Sequence, residues 1–205
     1  MTEDMTRKAV LDFNLSQKPI LTEAVMRYQG RYGEDKEAAA ILEFINSTDN
    51  LFGRDSQTGH ITCGAWILDD TLSKVILVHH RTLQSWIQPG GHIEPMETPF
   101  EGAWREALEE TGLDELIPFS KDLFNLSVHL FPPGKDGKAH FHYDFRYLFV
   151  ASNTSQIHAT DETDGVRWVP LDQIRDYTAE ATIVAMGEKT KKLIQSGDIA
   201  HLLGN

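Results

Sequence analysis

Glu106, Glu109 and Glu110 stand at i, i+3 and i+4. On a helix that spacing puts all three carboxylates on one edge. Like charges so placed cost an isolated helix about 0.2–0.5 kcal/mol per pair. A hard divalent cation, which takes oxygen ligands, would turn that cost into a binding site. A solvated acidic helix face is the other reading of such a run.

A second polar edge lies further along. His140-Phe141-His142-Tyr143-Asp144-Phe145-Arg146-Tyr147 alternates without a break. In a strand His140, His142, Asp144 and Arg146 share one face, and the four aromatics share the other. The aromatic face suits a core. The polar face could bind substrate phosphates, hold a base or ligate a second metal, because His at i and i+2 can converge on one ion. It could equally be a wet sheet face. Six of the nine histidines (His60, His79, His80, His92, His140, His142) fall near expected strand ends or the Gly90-Gly91 loop. Trp66, Trp86, Trp104 and Trp168 could stack a nucleobase, although core packing is their ordinary use. Trp86, just before Pro89-Gly90-Gly91, is the one placed at the site.

These residues need elements to position them. Thr98 is an N-cap, Pro99 suits the first helical turn and Glu101 completes a capping box, while Gly112 stops the helix. The spacing predicts a helix from Thr98 to Thr111, with Ala103, Ala107, Leu108 and Thr111 toward the core. Strands are expected at Ile61–Leu68, Lys74–His80 and Trp86–Gln88, then at Leu126–Phe131 and Phe141–Ala151 around the loop Pro132–Gly137. Gly165–Val169 reads as a further strand, and Thr178–Gln195 as a closing helix. Before them, Ile20–Tyr32 and Asp35–Asn46 carry apolar residues at helical spacing, and Asn50–Gly59 reads as a linker. The class is α/β (α+β), with a sheet sandwiched between helices.

The 205 residues suit one domain with an extension. A net charge of −12 argues against general nucleic-acid binding, which needs a basic face, but not against a nucleotide substrate held with cations. The single cysteine, Cys63, cannot form an internal disulfide and fits a reducing cytoplasm. No stretch reaches the roughly 20 apolar residues of a membrane helix.

Gly91, five residues, Glu97, seven residues, then Arg105-Glu106-Ala107-Leu108-Glu109-Glu110-Thr111-Gly112-Leu113 resembles, without a gap, the box of the MutT-like Nudix hydrolases. The resemblance implies an α/β/α sandwich with a mixed central sheet over residues 58–205, and leaves residues 1–50 as an N-terminal helical extension. It implies Mg²⁺ or Mn²⁺ on Glu106, Glu109 and Glu110, with the Gly91 carbonyl as a further ligand. Glu97, Arg105 and Gly112 would be structural. The implied reaction is water attack at phosphorus, cleaving a diphosphate (pyrophosphate) linkage in a nucleoside diphosphate derivative or nucleoside triphosphate. Family members also use an acid just before the Trp-containing strand, here Glu162, as a ligand or base, with Asp144 the second candidate. His140, His142, Asp144, Arg146 and Trp86 are the expected substrate-binding residues.

Two rival functions exist within the fold. In prenyl-diphosphate isomerases a cysteine precedes the Gly-His pair, but Gly90 stands before Gly91-His92 here. Non-catalytic ligand sensors carry a degraded box, and this box is intact. The N-terminal helices could form a homodimer interface or pack on their own domain.

Overall fold

One strand explains the centre of the molecule. β1 (Gly59–Asp69) is buried at every position. A strand buried on both faces needs partners along its edges and a covering layer on each side. In this computed structural model, which describes residues 3–33, 36–54, 56, 58–133, 138–152, 154–161 and 163–199, those partners include β2 (Lys74–His80) and β6 (His140–Ala151). β1 and β6 run parallel, in register from Gly59 opposite Phe141 to Asp69 opposite Ala151. β5 (Ile117–Phe131) pairs antiparallel outside β6, and β3 (Ser85–Ile87) outside β2. The path is β3-β2-β1-β6-β5, while β7 (Thr163–Pro170) also pairs with β2 and β4 (Gly90–His92) with β1. The sheet is therefore mixed.

Alternation along the strands divides the core in two. Ile61, Cys63, Ala65 and Ile67 of β1, with Phe145 and Phe149 of β6, pack against α3 (Pro99–Thr111) and against α1 (Glu3–Tyr32) and α2 (Lys36–Ser47). Trp66, Leu68 and Leu148 face the other way, under α4 (Ile174–Tyr177) and α5 (Ala181–Ser196). Trp66 Nε1 donates to Thr190 Oγ1 at 2.9 Å and so ties β1 to α5. Helices thus cover both faces, as the α/β/α sandwich requires. Among the described residues no helix is long and apolar enough to cross a membrane.

α3 begins and ends where its caps place it. The Thr98 hydroxyl accepts from Glu101 N, and the Glu101 carboxylate accepts from Thr98 N at 2.9 Å. Gly112 caps the other end in the left-handed region at φ 67°. Ala103, Ala107 and Thr111 are fully buried, but Leu108 is only half-buried.

Several elements differ from the sequence expectation. α1 runs straight through Pro19 instead of starting at Ile20. Pro19 removes one backbone donor, which usually marks a boundary, but Asn14 and Gln17 are buried on its N-terminal side and packing carries the helix through. The start of the segment expected as a linker is docked: Leu51 and Phe52 are buried, and the Leu51 carbonyl accepts from Ile61 N at 2.8 Å. β5 starts at Ile117, well before Leu126, because register shifts near Leu123 break its alternation. β4 and α4 had no expected counterpart. Asp35, residues 134–137 of the expected hairpin loop and Glu162 lie outside the described residues.

Candidate functional site

Arg105 organises the acidic edge of α3. Its Nε and Nη2 donate to the two oxygens of Glu97 at 2.9 Å each. Its Nη1 donates to Glu106 at 2.9 Å and Glu109 at 2.8 Å, and Nη2 also reaches the His92 carbonyl at 2.9 Å. The guanidinium therefore ties the helix to the loop that follows β4. Burial alone would raise the Glu97 carboxyl, but bonds from Arg105 and from Glu94 N hold it below the ordinary carboxylate range. Glu110 turns elsewhere and accepts from Gly90 N at 2.8 Å.

Glu106 and Glu110 are buried and Glu109 is exposed. A Cβ at position 91 would sit 2.5 Å from Glu106 Oε1, so the carboxylate occupies space that only glycine leaves free. The Gly91 carbonyl faces Cys63 Sγ, whose thiol donates weakly at 3.5 Å. This cradle of carboxylate oxygens, with a backbone carbonyl nearby, has the donor chemistry of a hard divalent cation. The residues present therefore fit Mg²⁺ or Mn²⁺.

The parallel register of β1 and β6 builds the second half. His60 lies opposite His142, Thr62 opposite Asp144 and Gly64 opposite Arg146. These pairs share one strand face with Trp66 and Leu148, whose apolar end lies under α5. The polar end opens into a cleft of about 370 Å³, lined by Gln88, Gly90, Gly91, His142, Asp144 and Arg146 among others. The face expected to be either a site or a wet surface is thus a buried polar wall. Asp144 receives the Thr62 hydroxyl and pairs with Arg146 Nη2 at 2.6 Å. Burial alone would raise its carboxyl, yet Arg146, His129 and Thr62 keep it below the usual range. Arg146 Nε and Gln88 Oε1 are buried without a hydrogen-bond partner. The box carboxylates are not among the residues lining this cleft; they meet Gly90 and Gly91 from behind, so that segment is the shared wall.

Beyond Asp144 the face becomes histidine-rich. The His60 ring centroid lies 5.0 Å from His92, 5.0 Å from His140 and 4.9 Å from His142. Burial lowers His60 and His92 to about 4, helped by the neighbouring imidazoles and Arg54. It lowers His142 to about 3 against the pull of Asp144. All three are neutral at pH 7.

His140, His142, Asp144 and Arg146 are therefore brought together on one face. Trp86 is not among the cleft-lining residues. It packs edge-on against His79 and Tyr177 at 5.3 and 6.0 Å, with Arg167 over its ring. Trp66 is core, and Trp104 and Trp168 are half-buried. Thr62, His129 and Gln88 were not singled out from the sequence. His129 sits opposite His142 and 3.7 Å from Asp144. Its i, i+2 spacing from Ser127 along β5 is the signal that places it on the polar face.

Comparison with known proteins points one way. The NUDIX domain family profile matches residues 58–186. The "Probable DHNTP pyrophosphohydrolase" of Lactococcus lactis subsp. cremoris is 31% identical over 114 residues, covering 53% of this chain; the chain spans 64% of that protein. The "Putative 8-oxo-dGTP diphosphatase" of Bacillus subtilis is 30% identical over 153 residues, covering 67% of this chain and 94% of that protein. A crystal structure of a NUDIX-family hydrolase from Clostridium perfringens superposes with TM-score 0.54 at 21% identity, covering 66% of this chain and 97% of that one. That last likeness is one of fold.

Proposed function

This chain belongs to the Nudix family, and from that premise we propose that it hydrolyses a diphosphate linkage in a nucleotide derivative, using a divalent cation held on the acidic edge of α3. The observation that carries the reading is the Arg105 network. It holds Glu106 and Glu109 on the edge they share with Glu110, where Glu106 meets Gly91 and Glu110 meets Gly90 N in the wall of the cleft. A cation held by Glu106, Glu109 and Glu110, with the Gly91 carbonyl as a further donor, would supply charge neutralisation at the diphosphate and an acidified water.

The chain's own groups do the rest. Arg105 and Glu97 fix the helix against the loop. The free Nε–H of Arg146, buried in the cleft wall, is a donor for an anionic oxygen. His142 and Asp144 complete the wall on which the remainder of the substrate rests, with His140 next along the same strand face. Asp144, held ionised by Arg146, suits positioning better than proton transfer, so Glu162 is the proposed proton acceptor. Trp86 contributes from outside the cleft by holding β3 against Tyr177. The relatives named for DHNTP and 8-oxo-dGTP support beginning a substrate survey with nucleoside triphosphates. Nothing favours an isomerase, because Cys63 is buried, its thiol pushed up by burial and turned to the Gly91 carbonyl.

The test is a phosphate-release survey over nucleoside triphosphates, nucleotide sugars and dinucleoside polyphosphates, with Mg²⁺ and with Mn²⁺. Turnover on one class is expected. In Glu110→Gln it should fall by at least ~100-fold with the circular dichroism spectrum unchanged, since even groups behind metal ligands matter about 10–100-fold. A smaller, base-type loss is expected in Glu162→Gln. A fully active Glu110→Gln chain, or no turnover on any diphosphate, would sink the reading.

A further inference from the structure

The hydrolytic reading gives His60 no task. His60 is only 1% exposed, yet neither of its ring nitrogens has a hydrogen-bond partner. A buried imidazole with both nitrogens unmatched carries a desolvation cost unless something else meets them. What surrounds it is more imidazole. One ring nitrogen each from His60, His140 and His142 lies within 4.8 Å of the others. His92 stands 5.0 Å from His60 and 5.4 Å from His142 by ring centroid.

The closest pair is informative. His140 Nε2 and His142 Nε2 are 3.1 Å apart. Two nitrogens bound about 2.0–2.1 Å from one tetrahedral ion stand about 3.3 Å apart. His140 Nδ1 lies 3.0 Å from the Lys138 carbonyl, which can only accept, so Nδ1 carries the proton and Nε2 keeps its lone pair. A backbone carbonyl holding the far nitrogen is the usual support behind a metal-bound histidine.

We propose that His60, His140 and His142 bind a divalent transition metal of the Zn²⁺ class, with His92 as the fourth ligand, at a site separate from the carboxylates of α3. Nitrogen donors select Zn²⁺-like ions over Mg²⁺. The site joins β1, β6 and β4, and through His142 it borders the cleft. It does not depend on the hydrolase reading.

The experiment is equilibrium Zn²⁺ binding to the full, tag-free, metal-stripped chain in excess Mg²⁺, which occupies oxygen sites. One Zn²⁺ per chain is expected. His140→Ala, at the half-buried start of β6, should weaken it at least ~100-fold. The double variant Glu106→Gln, Glu110→Gln should bind as wild type. No Zn²⁺ on the wild-type chain, unchanged binding in His140→Ala, or loss in the glutamate variant would overturn the site. Should a variant fail to fold, Co²⁺ on the wild-type chain decides. The intense visible absorption of tetrahedral nitrogen ligation supports the site, and the faint absorption of octahedral oxygen ligation overturns it. Hydrolysis without Zn²⁺ binding, or the reverse, separates the two proposals.

Discussion

Arg105 has five N–H donors and places every one: three on Glu97 and the His92 carbonyl, two on Glu106 and Glu109. Such a fork cannot be copied by an ammonium. Arg105→Lys should therefore leave one Glu97 oxygen and the His92 carbonyl short of a donor, costing about 2 kcal/mol for this partly buried pair, below the 3–5 of a fully buried one. Urea denaturation of Arg105→Lys, Glu97→Gln and the double variant measures it. Additive losses would show that the two residues do not act together. At this scale the acidic edge was legible because Glu97 to Glu110 lie on one contiguous loop and helix. Thr62 and His129 were not, because Thr62 meets Asp144 across 82 positions. Only the strand register joins them, and a one-residue slip would have put either on the opposite face.

Among the elements, the turn between β1 and β2 rests on one carboxylate. Asp69 is fully buried. Its Oδ1 accepts from Ser73 N at 2.6 Å and Lys74 N at 2.8 Å, and Oδ2 takes the Thr71 and Ser73 hydroxyls. Burial would raise its pKa, but these bonds win and the group sits below the ordinary value. The unfolded chain, near 3.9, therefore binds the proton more readily than the folded one. The contribution is whole above about pH 4 and is lost as pH falls through the depressed folded value. Asp69→Ala should cost about 2–3 kcal/mol at pH 7, since bonds to charged groups count for about 1.5–3 each. The deficit should shrink toward pH 2, and a pH-independent deficit in urea midpoints would refute the carboxylate's role. The strands this turn joins were readable from β-branched runs around a polar turn. β5 was half hidden, because Ser120-Lys121-Asp122 and the register shifts beside them break the period-2 pattern. In α1, Pro19 reads as a helix boundary in the sequence, and packing overrides it.

For the whole molecule the open matter is whether residues 1–50 are an appendage. Leu21, Val25, Tyr28, Ile41, Phe44 and Ile45 are buried in the same cluster as Ile61, Ala103 and Phe145. Phe44 stacks on Tyr143 with centroids 4.1 Å apart and planes 15° from parallel. The aromatic face of β6 is thus covered in part by α2, a layer the family resemblance did not supply. Two helices whose apolar faces close the sheet should unfold with it. Phe44→Ala should cost about 3–5 kcal/mol, the usual figure for truncating a buried aromatic. It should shift the urea transition seen by helical dichroism and by tryptophan fluorescence together. Trp66 and Trp104 report the sheet and α3, neither of which α2 carries, so coincidence of the two probes is evidence for one cooperative unit. A chain beginning after residue 50 should then be insoluble or loosely packed, because Tyr143 and Ile61 lose their cover. If Phe44→Ala instead melted helical signal early and left the fluorescence transition in place, the N-terminal helices would be a separate unit, and the hydrolase site would have to be complete without them.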